Sequence, residues 1–199
     1  MKSSLPKALQ FLAGKTMLEH VRHATLPLTA DQTVVVCAPG AQERIQKTNT
    51  SSGEGVMCVQ QEEAFGTGHA LKCALSKINQ DNVVLVLFGD VPLLRPSTLQ
   101  KLIASASKNT LALLTANIAN PKGYGRIIRN TNNEIIAILE DDECTEKQRN
   151  IKEVNSGVMA FPPNRIGQWL DRLSANNKKG EYYLTDVIGL ASEDGVLID

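Results

Sequence analysis

The sequence predicts an α/β fold with a mainly parallel sheet, and three observations carry the prediction. Val83-Val84-Leu85-Val86-Leu87-Phe88 is an unbroken apolar run. Its length and composition suit a strand covered on both faces by helices. Strand-like and helix-like segments alternate between residues 16 and 116, the order that right-handed βαβ crossovers produce. The chain has 199 residues, which suits one such domain or one domain with a small insert.

The elements follow in order. Thr16-Met17-Leu18-Glu19 has the form of a capping box and opens a helix through about Ala24. Thr33 to Cys37 is a strand, and Gly55 to Val59 a second, shorter one. Gly66-Thr67-Gly68 is a loop, and Ala70, Leu71, Ala74, Leu75 and Ile78 form the apolar stripe of the helix after it. The Val83–Phe88 strand comes next. Ser97-Thr98-Leu99-Gln100 is read as another capping box, with Leu99, Leu102, Ile103 and Ala106 as that helix's buried face. Thr110 to Ala116 is a strand.

The pattern changes after residue 120. Arg126-Ile127-Ile128 and Glu134 to Leu139 flank the polar Asn130-Thr131-Asn132-Asn133, which reads as a hairpin. Val154 to Phe161 is a further strand. Ile166, Trp169, Leu170 and Leu173 mark a helix, and a last helix runs from Thr185 to about Ser192. A single domain over 1–199 is predicted, with a nucleotide-binding half at 1–118 and a substrate-binding half at 119–199.

Composition narrows the function classes. Lysine plus arginine equals aspartate plus glutamate, 21 each. A zero net charge argues against a nucleic-acid-binding surface as the main role. Cys37, Cys58, Cys73 and Cys144 make no C-x-x-C pair, which favours reduced thiols over disulfides or zinc. The amino terminus lacks the apolar core of a signal peptide. No stretch approaches the roughly 20 apolar residues that cross a bilayer. A soluble, cytoplasmic protein without membrane partners is expected.

Several residues are candidates for chemistry. Gly89 permits a sharp turn at the end of the Val83–Phe88 strand, and Asp90 follows it. Open α/β sheets bind ligands at the carboxyl ends of their strands. A carboxylate there suits Mg²⁺ carried on a nucleotide phosphate, or equally a turn cap before Pro92. Gly14-Lys15-Thr16 is not a phosphate-binding P-loop, because the pattern needs glycine at the position of Leu9 and a preceding strand. Gly14 is read as a turn before the capped helix. Gly66-Thr67-Gly68 opens a helix and can bring backbone N–H groups near a polar ligand. Lys7, stiffened by Pro6, can neutralise phosphate or simply be solvated. His20 and His23 are ordinary surface or packing histidines, while His69 caps or orients the glycine loop. Glu140-Asp141-Asp142-Glu143 is an acidic run of the kind that is usually exposed.

Six stretches occur together in order and spacing. They are Leu5-Pro6-Lys7-Ala8-Leu9; Gln61 to His69 with Gly66-Thr67-Gly68-His69-Ala70; Phe88-Gly89-Asp90-Val91-Pro92-Leu93; Gly123-Tyr124-Gly125-Arg126-Ile127; Val154-Asn155-Ser156-Gly157-Val158; and Gly180-Glu181-Tyr182-Tyr183-Leu184-Thr185-Asp186. Over essentially all of its length the chain resembles the uridylyltransferase domain of the bacterial bifunctional N-acetylglucosamine-1-phosphate uridylyltransferase/glucosamine-1-phosphate acetyltransferases. The resemblance implies a Rossmann-like nucleotide-diphospho-sugar transferase fold with a mostly parallel mixed sheet and a small β-rich substrate subregion. It implies formation of UDP-N-acetylglucosamine and pyrophosphate from UTP and N-acetylglucosamine 1-phosphate. Gln61, Gly66 and Thr67 would read the uracil, Lys7 would contact phosphate, and Asp90 would bind Mg²⁺. Gly125, Glu140, Asn155, Tyr183 and Thr185 would hold the sugar phosphate.

The chain departs from that family's pattern in places. Ala64 stands where a second uracil-reading glutamine is usual, and Asp142 where a lysine is usual. The family's first strand and arginine-bearing glycine-rich loop, its second Mg²⁺-ligating asparagine and its acetyltransferase β-helix have no counterpart in these residues. The expectation is therefore low activity from the chain as it stands, no acetyl transfer, and a place for self-association or a separate acetyltransferase partner. The alternatives are an inactive homologue that binds a sugar nucleotide or a partner, and a pyrophosphorylase for another sugar 1-phosphate.

Overall fold

The computed structural model describes residues 5–48, 56–107 and 109–199. Phe11–Leu12 (β1) and Lys15–Thr16 (β2) pair as a small antiparallel hairpin. Its turn residues Ala13 and Gly14 both take positive φ, so Gly14 is a turn residue as read. Thr16 caps α1 (Met17–Thr25): its Oγ1 accepts from the Glu19 N–H at 3.2 Å, and Glu19 Oε2 accepts from the Thr16 N–H at 2.6 Å. The predicted capping box is formed.

β3 (Val34–Cys37), α2 (Gln42–Thr48) and β4 (Met57–Gln60) make one crossover, and β3 and β4 pair in parallel with Val34 opposite Met57. The start predicted for β4 at Gly55 lies outside the described residues. α3 (Thr67–Ala74), β5 (Val84–Val86), α4 (Pro96–Ser105) and β6 (Thr110–Asn117) continue the alternation. The back half brings the hairpin β7 (Arg126–Arg129) and β8 (Ile135–Leu139), then α5 (Glu146–Arg149), β9 (Glu153–Phe161), α6 (Ile166–Arg172), α7 (Asp186–Glu193) and β10 (Leu197–Ile198).

The α/β class and the mixed sheet are as expected. Six strands share one sheet in the order β10-β6-β9-β7-β8, with β5 also on β9. The balance of strand directions differs from the sequence reading. Among the described residues, β3–β4 and β6–β10 are parallel, whereas β9 runs antiparallel to β5, β6 and β7. Apolar patterning marks a strand but carries no sign of its direction. One bulge shapes β9. Its register against β6 shifts between Leu113 and Thr115, near Gly157, which has φ +83° and whose Cβ would lie 2.1 Å from the Phe88 ring. Only glycine fits that approach.

The main core joins Phe161, Trp169, Leu184, Val187 and Ile188 beneath the back half, and a second cluster joins Leu99, Ala112, Val158 and Ala160. Buried Trp169 donates through Nε1 to Asp194 at 2.9 Å, satisfying its one polar atom. β3, in contrast, is only half-buried along its whole length.

The capping box expected at Ser97 does not form. Pro96 occupies the first helical position and Arg95 precedes it without a side-chain cap. Proline's fixed φ starts the helix at Pro96, two residues earlier than the Thr98 that the motif implies. Thr145 and Gln148 make a capping box that the sequence reading passed over. No described helix is long and apolar enough to cross a membrane.

Candidate active site

One open cleft of about 970 Å³ lies between the two halves. All ten residues singled out by the sequence line it: Lys7, Gln61, Gly66, Thr67, Asp90, Gly125, Glu140, Asn155, Tyr183 and Thr185. Residues up to 178 positions apart in sequence thus meet on one surface.

Lys7 lies on a short 3₁₀ turn, Lys7–Leu9, set by Pro6. Its Nζ is 2.6 Å from Asp90 Oδ2, and both groups are open to solvent. The Asp90 carboxylate, hydrogen-bonded to the ammonium, raises the Lys7 pKa above its ordinary value, so Lys7 stays a cation at neutral pH. Gly89 lets this corner close: a Cβ there would sit 3.1 Å from Ala8 Cβ.

The Gly66-Thr67-Gly68 loop is docked on the back half. Tyr182 N–H donates to Phe65 O at 2.7 Å, Gly68 N–H donates to Tyr182 O at 2.8 Å, and Leu184 N–H donates to Thr67 Oγ1 at 3.1 Å. The Gly68 N–H is therefore engaged by protein and is not one of the amides that this loop can offer a ligand. The glycines serve close approach: a Cβ on Gly66 would lie 2.6 Å from Tyr182 O, and one on Gly68 2.4 Å from Leu173 Cδ1. His69 Nδ1 lies 3.0 Å from Gln61 Nε2, so its side chain meets Gln61 rather than the glycine loop that the sequence reading assigned it.

Opposite, Gly125 O accepts from Asn155 N–H at 2.9 Å. Asn155 Oδ1 accepts from Gly157 N–H at 2.8 Å, which leaves the amide nitrogen of this cleft-lining residue as its side-chain donor. Thr185 Oγ1 donates to Glu140 Oε1 at 3.0 Å. Tyr183 is buried, and its hydroxyl finds no partner among the described residues. Burial raises the Tyr183 pKa, so the phenol stays protonated. Buried hydroxyls without a partner are rare, and each calls for an explanation.

The acidic run is half-buried rather than exposed. Asp141 Oδ1 accepts from buried Arg126 at 2.7 Å, and this guanidinium holds the Asp141 carboxyl below its ordinary value. Asp142 lies 4.0 Å from Lys179 Nζ and accepts from Lys178 through its carbonyl. The run is drawn inward because Arg126 is buried behind it and needs a counter-charge.

Phe88, Tyr124 and Lys179 also line the cleft, and the sequence reading gave none of them a role. Lys179 Nζ stands 5.7 Å over the Tyr183 ring. Its position in Lys178-Lys179-Gly180-Glu181, just ahead of the tyrosine pair, was the signal available.

Comparison with known proteins agrees with this geometry. The profile of the MobA-like NTP transferase domain matches residues 1–149. The chain belongs to that family. This NTP transferase domain is 41% identical, over all of its length, to the bifunctional protein GlmU of Cellvibrio japonicus. It is 46% identical over 98% of its length to the GlmU of Albidiferax ferrireducens, and 44% identical over all of it to that of Nitrosomonas europaea. The chain spans 43% of the length of each of these relatives.

Proposed function

We propose that this domain is a uridylyltransferase that joins UTP and N-acetylglucosamine 1-phosphate into UDP-N-acetylglucosamine and pyrophosphate. The observation that carries the reading is convergence: nucleotide-type and sugar-type residues, far apart in sequence, line one cleft with the Lys7–Asp90 pair on it. The identity to GlmU proteins supports the same reaction. The product would feed peptidoglycan and lipopolysaccharide synthesis in the cytoplasm.

The chemistry is in-line displacement. A sugar-phosphate oxygen attacks the α-phosphorus, the bond to the β-phosphate oxygen breaks, and pyrophosphate leaves without a covalent enzyme intermediate. Lys7, held charged by Asp90, offers its ammonium to the phosphate oxygens where negative charge grows. The Asn155 amide donor, the Glu140–Thr185 pair and the Tyr183 hydroxyl hold and orient the acetamido sugar, which positions the attacking oxygen. Among the described residues no cluster of three or more His, Cys, Asp or Glu side chains forms a cage. A single half-exposed carboxylate fits Mg²⁺ that arrives on nucleotide phosphates, and Asp90 would be its protein ligand. The ion would supply further charge neutralisation at the phosphates.

The test is pyrophosphate release by the purified chain with Mg²⁺, UTP and a panel of sugar 1-phosphates. N-acetylglucosamine 1-phosphate is expected to be preferred. Equal or faster turnover of glucose 1-phosphate would overturn the assignment.

A further inference from the structure

Gln61 and His69 admit only one self-consistent placement of protons. Gln61 Nε2 lies 3.0 Å from Gly66 O. A backbone carbonyl can only accept, so the amide nitrogen and not its oxygen must face it. The same nitrogen lies 3.0 Å from His69 Nδ1. Its second proton goes there, so Nδ1 accepts and the neutral ring carries its own proton on Nε2. That proton faces Cys73 Sγ at 3.8 Å. The ring is held edge-on to Phe65 at 5.4 Å and beside Tyr182 at 6.4 Å. With both amide protons engaged, the polar atom left to the Gln61 side chain is Oε1, a pure acceptor on a residue that lines the cleft. Neighbouring Ala64 also lines the cleft but brings no polar side-chain atom.

We infer that His69 is a positioning residue which, by accepting from Gln61, fixes the Gln61 amide so that Oε1 selects a nucleobase edge carrying an imide N–H. The inference rests on the nucleotide reading above and deepens it. Uracil offers such an N–H at N3. Cytosine N3 and adenine N1 are bare acceptors, and each would set lone pairs against Oε1. Without the His69 acceptor, the Gln61 amide is held by Gly66 O alone, and the pinning of Oε1 weakens.

Two measurements test this on the full chain. The first is the ¹⁵N spectrum of histidine-labelled protein without ligand, with His69 assigned by its loss in His69→Phe. The Nε2–H tautomer is expected; the Nδ1–H tautomer would overturn the inference whatever the substrate is. The second is calorimetric binding of UTP and N3-methyl-UTP, which lacks the imide proton. Wild type should favour UTP by about tenfold or more, the worth of one hydrogen bond in a desolvated site. His69→Phe keeps the ring packing but removes the acceptor, and should lower the ratio, with Gly66 O keeping part of the amide's orientation. A purely structural loss would weaken both ligands alike, and an unchanged ratio would overturn the proposal. His69→Gln, which restores an acceptor oxygen, should recover part of the ratio and serves if the phenylalanine variant fails to fold. Wild-type binding indifferent to the base, alongside the Nε2–H tautomer, would instead overturn the uridine reading and the imide selection with it.

Discussion

The two walls of the cleft are built in opposite ways. The back wall stands on closed, buried networks. Arg126 is 1% exposed and held by Asp141, Thr185 is bonded to Glu140, and β9 is buried from Gly157 through Phe161. The front wall stands on open groups. The Lys7 side chain is 60% exposed, Asp90 30%, and β3 is half-covered along its length. Solvated charges rearrange at little cost, whereas groups fixed by packing and buried hydrogen bonds do not. The front can therefore exchange the Lys7–Asp90 contact for contacts with phosphate, while the back offers a shape that is already set.

The contrast predicts where damage falls. The largest effect belongs to the front charge pair. Asp90→Asn should lower the pyrophosphate-release rate by roughly 10²–10³, the usual loss when one well-placed electrostatic group is removed. Calorimetric affinity for the sugar phosphate should be nearly kept. Near-normal turnover at limiting Mg²⁺ would return Asp90 to the status of a turn residue.

Next comes the seam between the walls. Gly157→Ala would drive a methyl into the Phe88 ring from a backbone at φ +83°. A loss of about 1–3 kcal/mol is expected, read from the urea midpoint at unchanged slope. A neutral result would mean that Phe88 swings aside and that the seam is soft.

Tyr183→Phe separates binding from folding on the back wall. The hydroxyl lacks a partner among the described residues, so its removal should leave stability unchanged or raise it by up to about 1 kcal/mol. Sugar-phosphate affinity should fall about tenfold. Loss of stability without loss of affinity would contradict a ligand-facing hydroxyl.

The smallest effect is one of pH. Burial, then repulsion from Glu143 and Glu140, pushes the Asp186 carboxyl up to about 6. A raised carboxyl stabilises the fold in its protonated form. That contribution is complete below the ordinary value of 3.8 and disappears as pH rises through about 6. Asp186 is also open to water on one side, which screens the cost. Asp186→Asn should raise stability by less than about 1 kcal/mol at about pH 8, and by nothing near pH 4, in paired thermal melts. A larger gain at low pH would reverse the sign and refute the argument.

The sequence announced more of the back wall than of the front. The hairpin of β7 and β8, the strand β9 and the helix of Trp169 follow directly from apolar spacing and polar turns. The residues of the cleft were legible because their motifs are short and well separated. Strand direction was not, since β9 meets three partners by an antiparallel return that no local pattern encodes. The acidic run was misjudged for a related reason: Arg126, its counter-charge, comes from another strand. The docking role of Gly66 and Gly68 depends on Tyr182 and Leu173, over a hundred residues onward, and short glycine loops look the same whether they meet a ligand or a neighbour.

The placement of β9 also sets a timetable. Val84 pairs with Phe161, and Ala112 with Ala160, so neither β5 nor β6 can complete this ladder until those residues have been made. Synthesis at about 5–20 residues per second leaves the Val83–Phe88 run waiting on the order of seconds. The β7–β8 hairpin closes locally on the order of microseconds. A nascent chain of this domain therefore carries an uncovered apolar strand through much of its translation, and its yield in cells should follow the supply of chaperones that shield such segments.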